Sequence, residues 1–153
     1  MKDKKAVIFY FLMTIVLMDF GNQLRKIFEN PYFAQKIDNP IFSILQVNNT
    51  GSAFSLFQDK ASILAIFGVL VVIFIFVEIF KYVSFNDKLQ LLSLTLFSAG
   101  ALGNALERIQ LGHVVDYFKL NFINFPVFNL ADIFINIGVI LLIFSLLFFD
   151  KRK

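Results

Sequence analysis

Residues 61–82 read ASILAIFGVLVVIFIFVEIFKY, and this stretch decides what kind of protein the chain is. It carries no charge from Ala61 to Val77, and its first ionisable side chain is Glu78. A hydrocarbon core of about 30 Å takes roughly 17–25 helical residues to cross. Lipid offers no partner to a free backbone N–H or C=O, so such a segment crosses as a helix. Three other stretches have the same character. Ala6 to Leu24 is interrupted by Asp19, Leu89 to Leu106 is uncharged, and Leu130 to Phe149 carries Asp132. The 153 residues therefore read as one all-α membrane domain, with spans at 6–24, 61–82, 89–106 and 130–149.

Composition agrees with that reading and excludes several kinds of chemistry. Apolar residues make up 58% of the chain and charged residues 16%, where a soluble domain carries about a quarter charged. Cys is absent, which rules out a disulfide framework, a thiol nucleophile and a Cys metal site. His113 is the sole histidine, so a His-rich metal site is excluded as well. With 22 Phe, four Tyr and no Trp, an interfacial aromatic belt has to rest on Phe and Tyr. The net charge of +3 is small and suggests no nucleic-acid partner.

The basic residues orient the spans. Lys2, Lys4, Lys5, Lys81, Lys88, Lys151, Arg152 and Lys153 crowd the short tails and the turn between spans two and three. Arg25, Lys26, Lys36, Lys60, Arg108 and Lys119 are spread over the two longer connections. The positive-inside rule then places both termini in the cytoplasm. Met1–Lys5 followed by an apolar run is also the opening of a signal peptide. No small-x-small cleavage pattern follows, so the segment reads as a retained anchor.

Two segments remain outside, 25–60 and 107–129. In the first, turn signals at Asn30-Pro31, Asp38–Pro40 and Asn48–Ser52 bracket Ile41–Val47, a short run of β-formers, and predict a small sheet or hairpin lying on the membrane. In the second, Val114–Phe125 is half apolar and half polar, as suits an interfacial segment.

The polar residues that lipid excludes gather at one depth. Asp19 ends span one, and Asn104 ends span three with Glu107 and Arg108 just beyond it. Asn129, Asp132 and Asn136 fall at i, i+3 and i+7 and form one stripe at the start of span four, and Asp116 lies in the connection before it. Ionisable groups at membrane depth cost several kcal/mol and point to function. Asp132 also suits a helix cap, and Asp19 an end group reaching for the interface. Glu78, one turn from Lys81, reads as structural. Two carboxyls held close cannot both ionise. One keeps a proton while the other acts as base, which suits attack of water on a peptide carbonyl. Asp116 and Asp132 are the natural pair, and Pro126 between them lets the chain fold back. Periodicity alone does not bring them together. A proton or ion relay, or a polar belt for a membrane partner, would use the same residue types.

Three motifs carry a resemblance. They are Asn49-Thr50-Gly51-Ser52-Ala53-Phe54-Ser55, the run Gly100–Asn104 through Arg108 to Gly112–Tyr117, and Phe128-Asn129-Leu130-Ala131-Asp132 with Gly138 following. In order and spacing the chain resembles the signal peptidase II family, the prolipoprotein signal peptidases of bacteria, over nearly its whole length. The resemblance implies an aspartyl endopeptidase that needs no cofactor or metal. Asp116 and Asp132 would be catalytic, with Asn49, Asn104, Arg108 and Asn129 lining the substrate site and Asp19, Glu107 and Gly51 in support. It further implies a multi-pass protein of the bacterial inner membrane with its site at the outer face, and a monomer is the default expectation because one chain already carries both Asp residues. The substrate would be a diacylglyceryl-modified prolipoprotein cut just before the lipidated cysteine, and globomycin-type inhibitors would block it. Two positions depart from the pattern: Gln23 stands where the family has Lys, and Glu107 where it has Asp.

Overall fold

A computed structural model describes residues 3–30, 32, 37–52 and 56–148. Ala53–Ser55 of the first motif, Pro31 and Lys36 of the first connection, Phe149 at the end of the fourth span, and the basic residues Lys2 and Lys151–Lys153 lie outside the described residues.

Four helices are long and apolar enough to cross a membrane: α1 (Lys4–Glu29), α2 (Ala61–Tyr82), α3 (Lys88–Leu111) and α4 (Leu130–Phe148). Asp3 starts α1 by accepting hydrogen bonds from the Lys5 and Ala6 backbone N–H groups at 3.0 and 3.3 Å. Its second oxygen accepts from Phe85 N at 2.7 Å and from Ser84 Oγ at 3.3 Å, which ties this end of α1 to the α2–α3 turn. Two helices run past the apolar stretches that announce them. α1 continues to Glu29 because Leu24–Phe28 keeps an apolar flank, where the Phe28 ring meets Tyr117 and Phe118. α3 continues to Leu111, so Glu107 and Arg108 stand on the helix one turn beyond Asn104, and Gly112 closes it at φ +79°.

α3 is the central helix. It packs against the other three, and 56% of its most apolar window is buried against 11–22% in theirs. Lipid tails are as apolar as leucine, so helices in a bilayer associate through close packing and polar contacts. Both occur here. An added Cβ at Gly138 of α4 would lie 2.7 Å from Phe97 N and 2.8 Å from Ser93 O, and Gly100 of α3 meets the Ala131 carbonyl and Ile135 in the same way. The Tyr10 hydroxyl, on α1, donates to Ser98 Oγ of α3 at 2.9 Å in a buried setting. Ala6, Tyr10, Ile75, Ile79, Leu91 and Leu94 fill the core near the α2–α3 turn, and the polar residues gather at the opposite end.

At that opposite end lies a two-stranded antiparallel sheet, β1 (Phe42–Asn49) against β2 (Val114–Leu120). The sheet expected at Ile41–Val47 and the interfacial segment expected at Val114–Phe125 thus form one object, with its two strands drawn from different connections. Phe42 pairs with Leu120 and Ile44 with Phe118, but beyond that Val47 faces Asp116 and Asn49 faces Val114. One extra residue of β1 is taken up between Ile44 and Val47. Because side chains alternate along a strand, this bulge puts Val47 and Asn49 on the same face as Asp116. Phe118 then bridges to Phe128, and the chain folds back into α4.

Gly138→Ala should lower stability by about 1–3 kcal/mol by forcing α3 and α4 apart. Gly21→Ala, where an added Cβ meets nothing within 4 Å, should not. Thermal unfolding of the two variants in detergent checks the contrast.

Candidate active site

The fold-back through Phe128 delivers Asn129 to the start of α4 and sets up a reciprocal cap. Asn129 Oδ1 accepts from Asp132 N at 2.9 Å, and Asp132 Oδ2 accepts from Asn129 N at 3.1 Å. The cap expected at Asp132 thus forms together with Asn129, and it uses only one of the two Asp132 oxygens. The other, Oδ1, accepts from Asn104 Nδ2 of α3 at 2.8 Å. Asn129 Nδ2 donates in turn to Asn104 Oδ1 and to Asp116 Oδ1, each at 3.0 Å. On the far side, Asn49 Nδ2 of β1 donates to Asp116 Oδ2 at 2.9 Å. Asp116 and Asp132 are thus linked through two carboxamides, and each carboxyl is held at both oxygens.

Arg108 fastens the next piece. Its Nη2 donates to the Gly51 carbonyl at 2.7 Å and its Nη1 to the Asn104 carbonyl at 3.3 Å, so one guanidinium bridges α3 and the loop after β1. Gly51 N donates to Asn49 Oδ1 at 3.0 Å, which fixes the amide that faces Asp116. Glu107, 7% exposed, accepts from Val115 N at 2.8 Å, next to Asp116.

A cavity of about 1190 Å³ opens beside this network. Its wall includes the polar Asn49, Asn104, Arg108, Asp116 and Asp132 and, from the helices α2 and α4, the apolar Leu64, Phe67, Val71, Ile137 and Ile140. Asn136, one turn below Asp132, also reaches it and donates to the Asp132 carbonyl at 2.9 Å. Two of the expected residues do not line the cavity. Asn129 is 2% exposed and sits behind the two carboxyls rather than on the cavity wall, because cap, Asn104 and Asp116 use its whole amide. Asp19 is exposed on α1, where Gln23 Nε2 donates to it at 3.4 Å, and it does not reach the network. Tyr117 closes the second motif, but no role is expected for it from sequence. It is 2% exposed, accepts from Leu130 N at 3.1 Å, and buttresses the α4 cap. Among the described residues no group of His, Cys, Asp and Glu is arranged to hold a metal ion.

Burial sets the electrostatics of β2. The Asp116 carboxyl is pushed up from its ordinary 3.8 to about 7, first by burial. The Asn49 hydrogen bond works against that rise, and the nearby Asp132 charge adds to it. Burial likewise raises the Tyr117 hydroxyl to about 12, so it stays neutral.

The family model described as "Signal peptidase (SPase) II" matches residues 10–148. The chain belongs to the signal peptidase II family. Among its relatives, the "Lipoprotein signal peptidase" of Fusobacterium nucleatum is 32% identical over 99% of this chain and 92% of its own length. The "Lipoprotein signal peptidase" of Lactococcus lactis is 34% identical over 93% of this chain and 98% of its own. A solved bacterial membrane enzyme superposes with a TM-score of 0.81 at 27% identity, covering 99% of this chain and 96% of that one. As a member of the signal peptidase II family the chain is a protease of the multi-pass membrane type, and the network above joins residues of all three motifs.

The raised Asp116 carboxyl makes a signed prediction. At pH below 3.8 both folded and unfolded chains hold the proton. Between 3.8 and about 7 only the folded chain keeps it, so this group's contribution to stability is lost as pH rises through that window and levels off above it. Asp116→Asn cannot ionise. Its thermal stability relative to wild type should therefore be higher at about pH 8 than at about pH 5, as measured by unfolding in detergent.

Proposed function

We propose that this protein is an intramembrane aspartyl endopeptidase that removes signal peptides from diacylglyceryl-modified prolipoproteins, cutting just before the lipidated cysteine. The observation that carries the reading is the carboxamide-linked pair Asp116 and Asp132 on the wall of a cavity lined by both polar and apolar side chains. The relatives named above are lipoprotein signal peptidases, which supports the substrate class.

Asp116, with its carboxyl raised to about 7, is suited to hold the shared proton near neutrality. Asp132 takes a proton from water, whose oxygen attacks the scissile carbonyl carbon. The proton held by Asp116 passes to the leaving amine, the C–N bond breaks, and the carboxyl product and the new amino terminus separate. Asn49, Asn104 and Arg108 border the space where an extended peptide would lie. Their carboxamides and guanidinium match the donors and acceptors of a peptide backbone. Leu64, Phe67, Val71, Ile137 and Ile140 offer the acyl chains an apolar wall, so the lipid stays at membrane depth while the peptide bond reaches the pair. In this reading the site faces the outer side of a bacterial inner membrane and both termini face the cytoplasm.

Asp116→Asn and Asp132→Asn should each lower processing of a lipidated precursor by about 10²–10⁴-fold while the protein still accumulates in membranes. The assay compares each variant with wild type in detergent or vesicles, and a globomycin-type inhibitor should stop the wild-type reaction. Full cleavage by both variants would remove the Asp pair from the mechanism.

A further inference from the structure

Arg25 belongs to none of the motifs, and the structure joins it to the site from outside. Its Nε lies 3.4 Å from Glu107 Oε1, and its Nη1 donates to Glu29 Oε1 at 2.6 Å. The side chains of Arg25 and Glu107 are 12% and 9% exposed, so this pair across α1 and α3 is largely withdrawn from solvent. The other oxygen of Glu107, Oε2, accepts from Val115 N at 2.8 Å, and Val115 immediately precedes Asp116 on β2. Neither Arg25 nor Glu107 is among the residues that line the cavity.

The chemistry of the arrangement sets the role of the cation. A backbone N–H needs only a neutral acceptor. A carboxylate withdrawn from water is costly unless a cation compensates it, and removing one partner of a buried pair costs more than the pair itself contributes. Arg25 offsets part of the cost of a charge on Glu107 and favours one rotamer, its Oε1 facing Arg25 on α1 and its Oε2 held by the strand. Glu29 anchors the guanidinium on its own helix, at i+4 from Arg25. Three elements then converge on the backbone beside Asp116. α1 supplies the cation, α3 the carboxylate and β2 the N–H. Asn49 and Asn129 fix the Asp116 side chain from the cavity side, and this relay fixes its backbone from behind.

We infer that Arg25 is a positioning residue for the peptidase reaction, holding the Glu107 carboxylate where it fixes the Val115 N–H and thereby the strand that presents Asp116. The inference rests on the aspartyl peptidase reading above.

The test measures kcat and KM for a lipidated precursor, with membrane accumulation followed in parallel. Arg25→Met should lower kcat by about tenfold or more with KM within about twofold of wild type, because the geometry of an attacking group is lost and substrate contacts are not. Arg25→Lys, which returns the charge, should recover most of that loss. Arg25→Met combined with Glu107→Gln should lose less than the product of the two single losses, since the second change removes the charge that the first left unpaired. Wild-type kcat in Arg25→Met, a loss confined to KM, no recovery in Arg25→Lys, or independent effects in the double variant would each overturn the inference. If Arg25→Met does not accumulate, Glu107→Gln decides. It keeps an acceptor for Val115 and loses the ion pair, so a lowered kcat at unchanged KM supports the inference and a wild-type kcat overturns it. Asp116→Asn and Asp132→Asn run alongside as controls. Activity in those variants strikes the peptidase reading, whereas their inactivity together with a fully active Arg25→Met strikes only the role of Arg25.

Discussion

The carboxamide of Asn129 is the point from which the rest of the site is built. Its Oδ1 closes the first turn of α4, and its Nδ2 donates both to Asn104 on α3 and to Asp116 on β2. A single buried side chain thereby fixes a helix start, a helix–helix contact and a strand–helix contact. A buried hydrogen bond contributes only about 0.5–1.5 kcal/mol net, but leaving such a donor or acceptor unpaired costs about 1–3 kcal/mol. The network consequently acts as a unit, because displacing one member leaves several others without partners. No neutral apolar residue could replace Asn129, since the cap needs an acceptor and the two neighbouring oxygens need a donor.

Such a network holds only where the elements that bear it are held too, and α3 supplies that constraint. Close packing of α3 with α4 at Gly100 and Gly138 sets the distance across which Asn104 reaches Asp132. The Tyr10–Ser98 bond secures α1 against the same helix deeper in the bundle. Small residues thus work with hydrogen bonds rather than with a large apolar core, in keeping with a solvent that gives apolar side chains no reason to leave it. The apolar core of Ala6, Tyr10, Ile79 and Leu91 lies at the other end, which leaves the polar end free to open a cavity.

The sheet does a different task. Two strands are marginal by themselves, and these two are supported by α1 through Phe28, by the Phe118–Phe128 bridge, and by Arg108 on the loop carbonyl of Gly51. The bulge between Ile44 and Val47 determines what the sheet presents. Without the extra residue, alternation would turn Asn49 away from the face that carries Asp116. A local irregularity of the backbone thus selects which amide meets the carboxyl.

The sequence by itself determined the class of the protein and most of its chemical inventory. Uncharged runs such as Ala61–Val77 are legible because lipid penalises every exposed backbone group and every charge, so a span must show in composition. Asp116, Asp132 and Asn104 are legible for the same reason, since polar groups at membrane depth point to function, whereas Asn49 is legible only through the three motifs, which name the family. Only the tertiary structure decided how these groups meet. Strand pairing between residues 42–49 and 114–120 leaves no periodic trace, because the two segments are separated by two whole spans. The withdrawal of Asn129 from the cavity wall, the exposure of Asp19, and the contact of Arg25 with Glu107 depend on which helix faces turn inward. Those rotations follow from packing at Gly100 and Gly138 and from hydrogen bonds between distant segments, quantities that no local pattern of residues contains.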